Sequence, residues 1–143
     1  MYEKNKEQET IKQKTIKQKT TEKTDNGRLP DGRVVLCGAN AYEKKYYFNH
    51  QFDGIPDSIK DELHILCVLF TEEVGGVFSI AFDKEGNVLL ETNADDDDFY
   101  YDEISSGLMV AEVRRKRAEL LESLSLYYRV FILHEDISDM LED

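Results

Sequence analysis

Residues 57–93 read DSIKDELHILCVLFTEEVGGVFSIAFDKEGNVLLETN, and their hydrophobic period changes at the central Gly-Gly. Before the glycines, Ile59, Leu63, Leu66, Phe70 and Val74 recur at spacings of four, three, four and four. At about 100° per residue they form one stripe of an amphipathic helix. Ile65, Val68 and Leu69 widen that arc, which predicts cover on more than one side of the later turns. Pro56 and Asp57 suit the first turn, where Pro loses no hydrogen bond and a carboxylate meets the positive end of the dipole. Gly75 suits a left-handed cap. Beyond the glycines the period is two, with Phe78, Ile80 and Phe82 on one face. If Asp83 pairs with Asn87 around a turn with Gly86 at positive φ, Phe82 lies opposite Val88, Ile80 opposite Leu90 and Phe78 opposite Thr92. The stretch therefore predicts a helix lying on a β-hairpin, each supplying half of a core.

Working outward, Val34–Cys37 reads as a strand, Gly38–Asn40 as a reversal, and the stretch from Lys45 as a second strand with Tyr46, Phe48 and Phe52 alternating. Asn40 also suits the N-cap of a short helix over Ala41–Tyr47. After residue 93 an aspartate run, Asp95 to Asp98, leads into a second helix from Asp102 or Glu103. Its stripe is Val110, Val113, Leu120, Leu121, Leu124, Tyr127, Tyr128 and Phe131, with Arg117 inside the apolar arc and in need of a partner. Tyr127–Leu133 has strand-like composition, but the helical stripe continues through it. At about 1.5 Å per residue this helix would exceed about 35 Å and overhang the sheet. That predicts cover from the C-terminal residues or a second subunit. Asp136 suits the cap of a last turn carrying Ile137, Met140 and Leu141. The order β-β-α-β-β-α defines an α+β fold, one antiparallel sheet of two β-hairpins with two main helices packed on it.

The chain has 143 residues, with 18 Lys and Arg against 30 Asp and Glu, a formal charge of −12. Residues 1–28 hold eight basic and five acidic residues, so residues 29–143 hold 10 and 25, a formal −15. The repeat Ile11-Lys12-Gln13-Lys14-Thr15, Ile16-Lys17-Gln18-Lys19-Thr20 makes residues 1–28 a basic low-complexity tail, expected to be disordered. Leu29-Pro30-Asp31-Gly32 is a turn signal that opens a single domain over 29–143. An acidic chain is not suited to nucleic acid or an anionic membrane. No apolar run reaches the roughly 20 residues that span a bilayer, and no hydrophobic leader stands at the N-terminus. The expected compartment is the cytoplasm, with Cys37 and Cys67 as reduced thiols in or near the core.

Asp95, Asp96, Asp97 and Asp98 form the one cluster of hard oxygen ligands of the kind Ca²⁺ or Mg²⁺ requires. Numbered as an EF-hand from Asn93, the stretch places Asp98 where Gly is required and Ile104 where Glu is required. A second reading sets the acidic loop against Arg114, Arg115 and Arg117 across an interface between two antiparallel subunits. His64 and Cys67, three apart, share a helix side, with Cys67 toward the core and His64 toward solvent. That separation favours a buried thiol beside a surface histidine over a catalytic pair. His50 and His134 have no partner at readable spacing. Gly75-Gly76 lacks the Lys and Ser/Thr of a phosphate loop, and nothing points to a cofactor.

The runs Val34–Tyr42, Tyr46–Asn49, Cys67–Gly76 and Ser106–Leu108 resemble a family of small, acidic, uncharacterised bacterial proteins carrying a domain of unknown function. The resemblance spans residues 34 to about 133 and implies no activity. Glu72–Val77 and Asp83–Gly86 are also similar, locally, to roadblock/LC7 modules, and that similarity implies dimerisation. A roadblock module, however, places a helix before its first hairpin and strands after its second helix. The sequence thus predicts a cytosolic, non-enzymatic protein–protein interaction module that self-associates, most simply as a homodimer. The alternative is a divalent-cation-dependent binder or enzyme using Asp95–Asp98.

Overall fold

The computed structural model describes residues 31–134. The basic tail, the start of the domain at Leu29-Pro30 and the last turn capped by Asp136 lie outside the described residues. The elements in order are β1 (Val34–Asn40), β2 (Lys45–Phe48), a 3₁₀ turn (His50–Phe52), α1 (Asp57–Val74), β3 (Val77–Phe82), β4 (Val88–Asn93), α2 (Glu103–Lys116), α3 (Ala118–Tyr127) and a π turn (Tyr128–Ile132). The fold is α+β, as the hydrophobic periods predict. Its sheet has the order β2-β1-β3-β4 with every neighbouring pair antiparallel, so the two hairpins join through β1 and β3.

In the second hairpin Phe82 pairs with Val88, Ile80 with Leu90 and Phe78 with Thr92, the predicted register. Asp83 N–H donates to the Asn87 carbonyl at 2.9 Å, and Gly86 takes φ +91°. The Asp83 carboxylate accepts from the backbone N–H groups of Glu85 and Asn87, both at 2.9 Å, and stitches the turn shut. Phe78, Ile80 and Phe82 are fully buried beneath Leu63, Leu66 and Phe70 of α1. The Phe70 and Phe78 rings stack with centroids 4.1 Å apart. Each such side chain contributes about 1.5–3 kcal/mol by leaving water.

The glycines after α1 do different work. Gly75 N–H closes the helix on the Thr71 carbonyl at 2.7 Å, but its φ of +86° and ψ of −170° place it outside the left-handed helical region expected of it. Gly76, at φ +71°, lies so close to the Asn93 carbonyl and the Tyr101 ring that a Cβ would collide with both. The end of α1 is thereby packed against the end of β4 and the loop that follows.

In β1 the residues Leu36 and Cys37 are consecutive and both fully buried, which a regular strand facing one core cannot do. An irregularity between Val35 and Cys37 resets the alternation, and Asn49 supports it. Asn49 N–H donates to the Leu36 carbonyl and its side-chain amide donates to the Val35 carbonyl, both at 2.8 Å. The same residue caps the 3₁₀ turn, accepting from Gln51 N–H at 2.9 Å, so β2 ends there and Phe52 is buried from the turn instead of from the predicted strand. Asn40 does cap, but over a tight turn and not a helix: its side-chain Oδ1 accepts from Tyr42 and Glu43 N–H at 2.9 and 3.1 Å.

The expected single long helix is two helices. Arg117 leaves helical geometry at φ −112°, ψ 30°, and the chain kinks between α2 and α3. No Pro or Gly stands there. The length of one straight helix therefore no longer supplies a reason to expect a second subunit. Beyond Tyr127 the chain forms neither strand nor α-helix but the π turn, in which Leu133 N–H reaches the Tyr128 carbonyl at 3.0 Å. Tyr128 is fully buried, stacked on Phe82 at 4.4 Å, whereas Phe131, assigned to the core stripe from sequence, is 61% exposed.

Candidate functional site

The loop between β4 and α2, with the first turns of α2, encloses a cleft of about 520 Å³ whose lining includes Asp95, Asp96, Asp98, Glu103 and Ser106. The loop is shaped by a tyrosine far away in sequence. Tyr42 Oη donates to the Asp98 carboxylate at 2.6 Å and accepts from Asp95 N–H at 3.0 Å. Burial, and then the Asp98 carboxylate, push the Tyr42 hydroxyl well above its ordinary pKa, so it remains a donor. The other Asp98 oxygen accepts from Tyr100 N–H at 3.1 Å. Asp102 caps α2, accepting from the N–H groups of Ile104 and Ser105 and the Ser105 hydroxyl. The Ser105 hydroxyl, then its amide, hold the Asp102 carboxyl below the usual carboxylate range. Tyr101 Oη donates to the buried Ser106 hydroxyl at 2.7 Å and closes the floor.

The four predicted aspartates do not converge. Asp95 and Asp98 are half-buried, while Asp96 and Asp97 point to solvent. Among the described residues no group of three His, Cys, Asp or Glu side chains is placed to hold a metal ion.

The basic cluster Arg114, Arg115, Lys116 and Arg117 has its partners inside the chain. Arg114 donates to the Val88 carbonyl at 3.0 Å and ties α2 to β4. Arg115 and Lys116 pair with Glu112, at 3.5 and 2.8 Å, on their own helix. Arg117 meets Glu62 of α1 at 2.8 Å, with both side chains roughly 40% exposed. The partner that the sequence required for Arg117 is therefore in α1, and none of these residues reaches the acidic loop.

Cys67 is fully buried and His64 exposed, as the helical wheel predicts. The His64 ring stacks on Tyr46 at 4.1 Å, not on the thiol. Cys67 Sγ lies 3.8 Å from Cys37 Sγ, and that contact, together with burial, pushes the Cys67 thiol up and keeps it protonated. His50 does gain a partner, Asp53, at 3.2 Å.

A feature not singled out from the sequence stands on the surface of α2 and of the loop before it. Phe99, Tyr100, Ile104 and Leu108 are 87, 95, 76 and 68% exposed. Ile104, Leu108, Ala111 and Arg115, spaced four, three and four, form one outer stripe opposite the buried Ser106 and Val113. The helix is thus apolar on two opposite sides. The signal was present in the sequence, since Ile104 and Leu108 fall off the stripe through Val110 and Val113. Ile65 and Leu69 of α1, predicted to be covered, are likewise exposed, at 56 and 53%.

Fold and surface together define a small α+β domain whose distinctive features are an acidic cleft and an uncovered apolar helix face. The chain belongs to a family of unknown function (DUF6145), whose model matches residues 33–136. No curated protein and no solved structure matches it. The roadblock departures noted in the sequence persist in three dimensions: α1 follows the first hairpin, and among the described residues no strand follows α3. No helix among the described residues is long and apolar enough to cross a membrane.

Proposed function

We propose that this domain is a cytosolic, non-enzymatic protein–protein interaction module that self-associates. The observation that carries the reading is the exposed apolar set Phe99, Tyr100, Ile104 and Leu108. Large apolar side chains scattered singly on a surface need no explanation, whereas four within ten residues, two of them stacked one helical turn apart, are the kind of patch that a partner covers. The acidic character of the chain is against anionic partners, nucleic acid or an anionic membrane, since both present like charge. The test is the mass of the full-length protein in solution by light scattering, from low to high micromolar concentration. A dimer, twice the 16.6 kDa of the chain, is the expected species at the upper end. A monomer throughout would remove the proposal.

A second reading, divalent-cation binding, has one observation in its favour: Asp95, Asp96, Asp98 and Glu103 line the same cleft at the end of β4, although they do not converge on a single point. Calorimetric titration with Ca²⁺, Mg²⁺ and Mn²⁺ separates the two readings, since only the second requires saturable heat.

A further inference from the structure

We infer that the outer stripe of α2 is a self-complementary surface on which two copies of the chain pack, helix against helix and antiparallel. The inference rests on the self-association proposed above and assigns it a place and a geometry. The stripe has a polarity: the acidic loop Asp95–Asp98 and Glu103 stand at its N-terminal end, Ile104 and Leu108 in its first half, Ala111 beyond its middle, and Arg115 with Lys116 at its C-terminal end. Such a stripe matches itself only when one copy is turned end for end. A twofold axis at the level of Met109 and Val110 sets Leu108 against Ala111 of the second copy, a large residue facing a small one. The same axis brings Ile104 level with Arg115 of the second copy. One turn further, that guanidinium meets the exposed Asp96 and Asp97 carboxylates, and by symmetry the arrangement occurs twice.

Among the described residues nothing competes strongly for this surface. The Arg115 side chain is 70% exposed, and its contact with Glu112 is an exposed pair one turn away on the same helix, of the kind that contributes little. A Cβ added at Gly107 would meet no other atom within 4 Å, so the flank of the stripe is open to close approach. A parallel arrangement would set acidic loop against acidic loop and basic end against basic end, and is disfavoured by like-charge repulsion.

The experiment is sedimentation equilibrium on the full chain and three variants. Leu108→Glu removes the central apolar contact twice per dimer and raises the dimer Kd at least a hundredfold. Arg115→Glu raises it by about tenfold, through two lost pairs and new repulsion. Arg115→Glu combined with Asp96→Lys and Asp97→Lys recovers most of that loss. Circular dichroism melts on each variant separate association from folding, because all the altered side chains are exposed. A dimer whose Kd is unmoved by Leu108→Glu and Arg115→Glu would overturn this surface while leaving self-association standing. A wild-type chain that never dimerises would overturn both. Failure of the triple variant to recover affinity, with Arg115→Glu weakened, would overturn the antiparallel pairing.

Discussion

Tyr128 is the largest side chain in the described structure with no exposure, and its hydroxyl has no hydrogen-bond partner among the described residues. Its ring is well placed, stacked on Phe82 with centroids 4.4 Å apart and beside Phe52 at 6.2 Å, the two phenylalanines themselves 5.5 Å apart. Stability therefore comes from the ring, while the oxygen is buried with no protein partner among the described residues. Removing an unpaired buried hydroxyl is expected to be neutral to stabilising, by up to about 1–2 kcal/mol, because the desolvation cost of the group disappears with it. Tyr128→Phe should raise the urea midpoint with an unchanged slope. A loss of more than about 1 kcal/mol would mean that the hydroxyl has a partner after all. Tyr128→Ala, which forfeits the ring, is expected to cost about 3–5 kcal/mol and serves as the control. That Tyr128 belongs to the core was legible in its spacing from Leu121 and Leu124. That its oxygen goes unmatched was not, since pairing depends on what folds around the atom. Asn49 makes the converse case: its four hydrogen bonds, to Leu36, Val35, Gln51 and Phe52, hold the β1 irregularity and the 3₁₀ turn, and no local pattern announces them.

At the scale of elements, what could be read in advance was what the chain decides locally. The β3–β4 register follows from Asp83, Gly86 and the alternation on either side, and it is the register observed. The kink at Arg117 is different, because the apolar stripe runs through it without interruption and only the charge in its middle is out of place. The physical account lies in Glu62, 55 residues earlier in sequence. With the chain kinked, the guanidinium sits at the half-exposed seam between α1 and the α2–α3 junction instead of in the core. Arg117→Glu therefore tests a contact inside the chain. It sets two carboxylates together at a half-exposed site and is expected to lower stability by about 1 kcal/mol, screened by salt, without shifting the monomer–dimer balance. Arg117→Leu should be near neutral, since an apolar residue continues the stripe. Thermal melts at low and high salt, with light scattering on the same samples, check both. A loss of dimer in Arg117→Glu with the fold intact would return Arg117 to an interface.

At the scale of the whole molecule the charge of −12 is unevenly spread, and the candidate site is where the sequence was informative and incomplete together. The aspartate run was conspicuous. Its organiser, Tyr42, was not, because the tyrosine reaches Asp98 across 56 residues and only through the β1–β2 turn. That contact bears on the cation question. One Asp98 oxygen accepts from Tyr42 and the other from Tyr100 N–H, so this carboxylate serves a divalent ion only by giving up contacts it already has, and Asp96 and Asp97 are exposed. An acidic chain should nevertheless gain stability from salt of any kind, since screening relieves its self-repulsion. The two effects part when ionic strength is matched. On the interaction-module reading, CaCl₂ and NaCl at equal ionic strength raise the Tm to within about 1 °C of each other, and neither response saturates. Cation binding in the cleft would instead add a saturable increment for Ca²⁺ alone, following a binding isotherm, and Asp95→Asn with Asp98→Asn would abolish it. The same pair of substitutions frees the Tyr42 hydroxyl from its carboxylate acceptor. A fall in Tm without added metal is therefore expected in the variant, and the decisive comparison is the difference between the two salts within each protein.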